Sequence, residues 1–319
     1  MNIQMFNGWY FLMLFICIGL VVGLYFILKN RTQKTQKIVL FSLLLFGLIL
    51  HFLKFIIPPY STDIDRLYRD SWFINICGAN IFLFPFFFLS KNEKAKDYMF
   101  YIGVLSGLIS ILYPMEPMAK VNQAAEWLDI VRFYYHHTML WAVPLLMVVF
   151  KLHTINYRRI LYVPTYLLAV MLFIMVNQVL QSELGFIPLR GDEIFNINYK
   201  NTSMIWGPSG PIGDFLAIFC PRFFKYIPVG DYAGQAKFWP WFWLIFPCYI
   251  LITPICFLIS LILDYKRFKN DMIIIYNYIN IKILKNYEIT DEGLKLYSEK
   301  IINKKIDKIL KTHKNYVIK

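Results

Sequence analysis

The sequence predicts an all-α, polytopic membrane helix bundle of about seven transmembrane helices, N-terminus outside and C-terminus inside. Three observations predict it. Hydrophobic residues make up 58% of the 319, and the mean hydropathy is +0.50, beyond the roughly 45–50% apolar usage of soluble domains. Seven apolar runs approach the ~20 residues that a hydrocarbon core requires. The connections between them alternate between basic and neutral or acidic. The net charge of +13 therefore reads as membrane orientation and not as a nucleic-acid footprint, because the basic residues sit in short connections and in the tail.

The first run covers residues 9–28. No Lys or Arg precedes it and no small-residue cleavage site follows, so it reads as a retained helix and not a removable signal peptide. The next runs cover 38–57, 72–89, 98–113, 133–150 and 160–179, and the seventh covers 238–263. The fourth is the shortest. The seventh contains Pro240, Pro247 and Pro254 and is expected to kink, because each proline removes a backbone donor. The connection 29–37 carries four positive charges and no acid, and 151–159 is +3, whereas 58–71 and 114–132 are each −1 and 180–237 is neutral. The positive-inside rule then sets the orientation and makes this a multi-pass protein of the cell membrane. Trp72, Trp127, Tyr134, Trp239 and Trp241 fall at the outer boundary, and Tyr98, Tyr157 and Tyr265 at the inner one, as interfacial belts require.

The outer segment 180–237 includes Gly207-Pro208-Ser209-Gly210-Pro211 and reads as a loop with one short interfacial helix near Phe215 to Phe224, able to cover a site beneath it. Residues 1–263 thus form the transmembrane bundle and 264–319 a cytoplasmic basic tail with 13 Lys/Arg against 7 Asp/Glu. From Met272 the tail spaces Ile, Leu and Tyr among Lys, which reads as one or two amphipathic helices on the anionic inner leaflet.

Polar side chains inside such helices are expensive and mark functional sites by default. Here they gather at one level of the outer leaflet. The second helix runs outward and carries His51, with Lys54 nearer the surface. The third runs inward and carries Cys77 between Asn75 and Asn80. The fifth carries His136 and His137, and the sixth ends at Asn177 and Gln178. Counted from the run ends, His51, Cys77 and the histidine pair lie ~5–9 Å deep. Cysteine plus histidine is the minimum set for nucleophilic acyl transfer, in which imidazole takes the thiol proton and thiolate attacks a carbonyl carbon. Cys77 also lies near its helix N-terminus, whose partial positive charge favours thiolate. Asn80 at i+3 shares its face and is an oxyanion donor candidate, as are Lys54 and Asn177. Consecutive helical residues point ~100° apart, so His136 and His137 cannot both face one partner.

Plainer uses compete at each position. Cys17, Cys248 and Cys256 read as small hydrophobes, Lys54 as a snorkelling residue, and a disulfide between Cys77 and Cys220 is a rival use of those thiols. The five cysteines show no CxxC pair or ligand spacing, so no zinc site is indicated and no metal or cofactor is expected.

The order of these pieces resembles the YwaF-type bacterial integral membrane proteins, which are related to a eukaryotic transmembrane lipid acyltransferase with a Cys–His pair. The matching stretches are Leu48-Ile49-Leu50-His51, Ile74-Asn75-Ile76-Cys77, Arg132-Phe133-Tyr134-Tyr135-His136-His137, Val176-Asn177 and Trp239-Pro240-Trp241-Phe242. The resemblance implies that Cys77 is the nucleophile and His137 the base, with His136 as the alternative register, and that His51 matches a further histidine of the bacterial members. The chain departs from the pattern before the cysteine, where 72–76 replaces Leu-Pro-Leu-His, and after the sixth helix, where 180–237 replaces a short Gly-Ala-Asn-Tyr loop. The expected activity is thiol-dependent transfer of an acyl chain from a membrane phospholipid to a lysolipid or to the amino end of a lipoprotein. His51, Lys54, Asn75, Asn80 and Asn177 would contact substrate. The reading from a different class is a non-enzymatic binding or transport subunit holding a small ligand in the same polar cluster.

Overall fold

The structure is a computed structural model and describes residues 3–57, 60–62, 73, 75–114, 127–185, 203–227, 230–231, 233–235, 237–283, 288–290, 293–295 and 307. Among the described residues there are nine α-helices: α1 (Gly8–Leu28), α2 (Gln33–Phe52), α3 (Ile76–Leu89), α4 (Glu93–Leu112), α5 (Trp127–Val149), α6 (Tyr162–Glu183), α7 (Gly210–Ile218), α8 (Ile245–Leu263) and α9 (Tyr265–Ile283). The chain divides into two compact units, residues 1–257 and 258–319. The fold is that of a polytopic helical membrane protein. Residues 8–28, 33–52, 93–112, 162–183 and 242–263 are long and apolar enough to cross a bilayer, and α3 is a shorter apolar helix. The 23-residue α5 matches them in length but carries Arg132, His136 and His137.

Side-chain caps set the helix starts. Asn7, Thr32, Asn75 and Asn92 each accept a backbone N–H of the first turn of α1, α2, α3 and α4, satisfying donors that a helix start leaves unpaired. Asn92 accepts from both Lys94 and Ala95, so α4 begins at Glu93 and draws a stretch that hydropathy alone leaves in a loop into the helix. The cap at Asn75 starts α3 at Ile76 and not at residue 72. Conversely, α5 begins outside its apolar run, at Trp127. Depth counted from the ends of apolar runs therefore shifts for these two site helices, and for α2 as well, which ends at Phe52 and not at residue 57. The segment 238–244 is not helix but loop and a 3-10 turn, Phe242–Leu244. The reason is Trp241, whose φ of 65° is left-handed and whose N–H donates to Ile205 O at 2.7 Å. Lys54 falls in a 3-10 turn after α2, Leu53–Phe55, and its side chain lies outside the described residues, as does Trp72.

In the first unit α5 is central. α1 lays Tyr10, Met13, Cys17 and Val21 against Ile111 of α4 and Ile130, Phe133, Tyr134 and Trp141 of α5, while Phe15, Phe26 and Ile27 on its other sides are exposed, as lipid contact requires. α4 packs along α5 at very short range through Gly103 and Gly107. A Cβ at Gly103 would lie 2.5 Å from Leu140 O and 2.8 Å from a ring carbon of Phe84, and one at Gly107 would lie 2.7 Å from His137 O. The pair spells GxxxG, the spacing that lets membrane helices approach backbone to backbone.

Opposite the candidate site, the start of α4 meets the α5–α6 connection in a charged cluster. Asp97 is 1% exposed. It accepts from Arg159 Nε at 2.6 Å and from His153 Nε2 at 2.8 Å, while His153 Nδ1 lies 2.8 Å from Glu93 Oε2. Each ring nitrogen of His153 thus faces a carboxylate oxygen. Glu93 and Asp97 sit one turn apart inside α4, a spacing readable in the chain once the cap at Asn92 is known.

In the second unit α9 is followed by a short antiparallel hairpin, Glu288–Thr290 paired with Gly293–Lys295, with Ile289 opposite Leu294. Among the described residues the tail thus shows one long helix and a hairpin, the hairpin being an element the sequence reading did not anticipate.

Candidate functional site

Cys77 stands at the second position of α3, in its first turn and partly exposed. That is closer to the helix N-terminus than the run at 72–89 implied, and the backbone dipoles there favour an anionic sulfur. Asn75 is engaged at this turn: its Oδ1 accepts from Gly78 N at 2.6 Å. The faces of α3 follow from its neighbours. Gly78 faces α2, with the His51 ring 4.0 Å from where a Cβ would stand. Asn80 faces α4, where Tyr98 Oη donates to its Oδ1 at 2.8 Å, and Phe84 reaches Gly103 near Leu140. Cys77, Asn80 and Phe84 are spaced i, i+3, i+7, so the cysteine belongs to the stripe that faces the α4–α5 seam. Asn80 is 0% exposed, and among the described residues its Nδ2 has no hydrogen-bond partner.

The two adjacent histidines are divided between different neighbours. His136 turns toward α2, its Nε2–H donating to Gly47 O at 2.8 Å, with its ring centroid 6.0 Å from that of His51. His51 in turn stacks on Phe73 at 5.8 Å, and Phe73 touches Phe82 of α3 and Phe173 of α6. His137 abuts Gly107 of α4 through its backbone carbonyl. Its Nδ1–H donates to Phe133 O at 2.8 Å and its ring packs on Phe133 at 4.1 Å. That bond folds the imidazole back toward the start of α5 and fixes the tautomer, leaving Nε2 as the basic nitrogen. In α6, Asn177 is half-buried and its Nδ2 has no partner among the described residues. Gln178 accepts from Trp206 Nε1 at 2.7 Å.

Cys77 and Cys220 are both free thiols, so the rival disulfide does not form. Burial pushes the Cys220 thiol up from its ordinary value, with Lys225 opposing. The segment 203–227 holds α7 at Gly210–Ile218 and a 3-10 turn at Arg222–Phe224, where the sequence suggested one helix near 215–224. Three tryptophans anchor what surrounds it. Trp206 bonds to Gln178, Trp241 Nε1 donates to Leu168 O at 2.7 Å, and Trp243 Nε1 donates to Met204 O at 2.9 Å. Sequence reasoning missed these pegs, together with Gly103 and Gly107. The GxxxG spacing was a usable signal for the glycines; nothing local marks the indoles' partners.

The chain matches no curated relative and no solved structure. A family model does match, spanning residues 4–260 and so containing Cys77, both histidines of α5 and all of the first unit but its first three residues. On that match the chain belongs to the TMEM164 family.

Proposed function

We propose that this chain is an intramembrane thiol acyltransferase of the YwaF-type branch, spanning the cell membrane seven times with its N-terminus outside. Cys77 is the nucleophile and His137 the general base, working at the outer leaflet. The observation that carries the reading is the division of the two histidines: His136 is tied to Gly47 O of α2, whereas His137 is held by Phe133 O of its own helix, which leaves its Nε2 as the basic nitrogen. A nucleophile, a base and a fixed acceptor that orients the base form the arrangement that activates a thiol.

In the first half-reaction His137 Nε2 takes the thiol proton as sulfur attacks an ester carbonyl of a phospholipid. The C–O bond breaks, the lysolipid oxygen leaves with the proton from His137, and the acyl group stays on Cys77 as a thioester. In the second half-reaction the hydroxyl of a lysolipid, or the amino end of a lipoprotein, attacks the thioester carbonyl. His137 accepts its proton, and the thiol is regenerated. Asn80 Nδ2 is the donor for the oxyanion in both halves. The basic tail is assigned to the anionic inner leaflet.

The test is labelling of the purified protein with a lipid-like thiol probe in wild type, Cys77→Ala and His137→Ala. Labelling that needs both residues supports an activated thiol. Equal labelling in all three ends the acyl-transfer reading and leaves ligand binding, favoured by the unpaired amide nitrogens of Asn80 and Asn177, as the function of the cluster.

A further inference from the structure

An apolar cavity of about 230 Å³ opens beside the first turn of α3. Its wall takes Ile76 from α3, Leu167 and Met171 from α6, Leu216 from α7, and Cys248 and Leu251 from α8, with Ser203 among otherwise apolar neighbours. Ile76 immediately precedes Cys77, so the cavity and the candidate nucleophile share one helical turn. The indole bonds of Trp206 and Trp243 peg the 203–206 segment between α6 and the start of α8, so the space is framed and not a gap left by a loose loop.

An apolar space of this size is costly to leave empty in close-packed protein and too apolar to hold water well. It is also smaller than the roughly 300–1,000 Å³ of ordinary small-molecule sites, too small for a whole lipid. Hydrocarbon is the occupant that fits lining, size and surroundings. Ile212 lines the cavity while remaining 66% exposed, which marks a mouth on α7. Phe215 and Ile218 of the same short helix are also exposed, as expected of a helix lying at a membrane boundary.

We propose that this cavity holds the distal part of the donor's acyl chain, entering sideways past Ile212, with the ester end held at Cys77. The assignment rests on the acyl-transfer reading only for the ester end; occupancy by a chain is measured separately. The full-length protein is placed in phosphatidylcholine nanodiscs containing a phospholipid with a diazirine near the end of one acyl chain. After photolysis the adducts are mapped by mass spectrometry. Adducts on α6, α7 and α8 at the cavity wall, in wild type and in Cys77→Ser, support the slot. In Met171→Trp and Leu216→Trp the indole fills the space the chain would take, so adducts at the wall are lost while those at lipid-facing Ile109 persist.

Wall labelling no higher than at Ile109, or undiminished in both folded tryptophan variants, overturns the slot. Should those variants fail to fold, competition in wild type decides instead. Unlabelled long-chain phosphatidylcholine suppressing wall adducts more than a butanoyl analogue supports the slot, and equal suppression overturns it. Wall adducts without a thioester on Cys77 end the acyl-transfer reading and leave the slot standing; a thioester without wall adducts does the reverse.

Discussion

Replacing Gly103 or Gly107 by alanine tests the helix contact that sets the position of His137. At Gly103 the new methyl falls 2.5 Å from Leu140 O, where ordinary contact begins at 3.4 Å, so α4 and α5 must separate by about 0.9 Å; at Gly107 the obstacle is His137 O at 2.7 Å. A backbone carbonyl cannot swing aside as a side chain can. Overpacking of this kind costs about 1–3 kcal/mol, and the expected loss for each variant lies in that range. One separation relieves both clashes, so the double variant loses less than the sum of the singles. Unfolding in detergent, followed by circular dichroism as SDS is added, measures this. Gly19→Ala and Gly23→Ala in α1 serve as controls, since neither new methyl meets an atom within 4 Å. Gly107→Ala also displaces the backbone of His137 and is expected to slow labelling of Cys77 by up to about 100-fold, the scale that ångström misplacement of a catalytic group produces. Wild-type stability and labelling in both alanine variants would refute the backbone contact and, with it, the positioning argument.

Three further outcomes follow from the same structure. Asn75→Ala removes the cap of α3 and is expected to cost about 0.5–2 kcal/mol and to lower Cys77 reactivity, while Asn75→Ser, a neutral cap, retains both; equal thiol alkylation rates in the two variants would argue against dipole activation. Asp97→Asn leaves Arg159 and His153 without their shared carboxylate and is expected to cost about 3 kcal/mol, whereas Glu93→Gln, at a side chain 44% exposed, costs at most about 1 kcal/mol, in the same unfolding assay. At Cys220, just after α7, burial holds the thiol up. It stays protonated to higher pH than a free cysteine, so its alkylation is expected to climb only above the pH at which an unburied thiol reacts; a profile matching free cysteine counts against that burial.

Hydropathy made the helical runs legible because bilayer thickness imposes a length. Where helices start was less legible, since caps and tertiary bonds decide it. Asn92 draws Glu93 and Asp97 into α4, and Ile205 O holds Trp241 out of α8. The candidate site was legible as a set of residues but not as an arrangement. From the sequence His136 and His137 differ only by 100° of rotation. Gly47 O and Phe133 O separate their roles, and neither acceptor announces itself, because every residue has a carbonyl. Lys54, named from sequence as a possible oxyanion donor, has its side chain outside the described residues.

The charged cluster at the start of α4 also bears on how the chain is made. Asp97 finds its partners His153 and Arg159 56 and 62 residues later in the chain. A ribosome adding about 5–20 residues per second delivers Arg159 roughly 3–12 s after Asp97. During that interval α4 carries an acid whose partners do not yet exist. Water is its partner until then, and the burial that leaves Asp97 1% exposed is complete only once the α5–α6 connection has folded onto the start of α4.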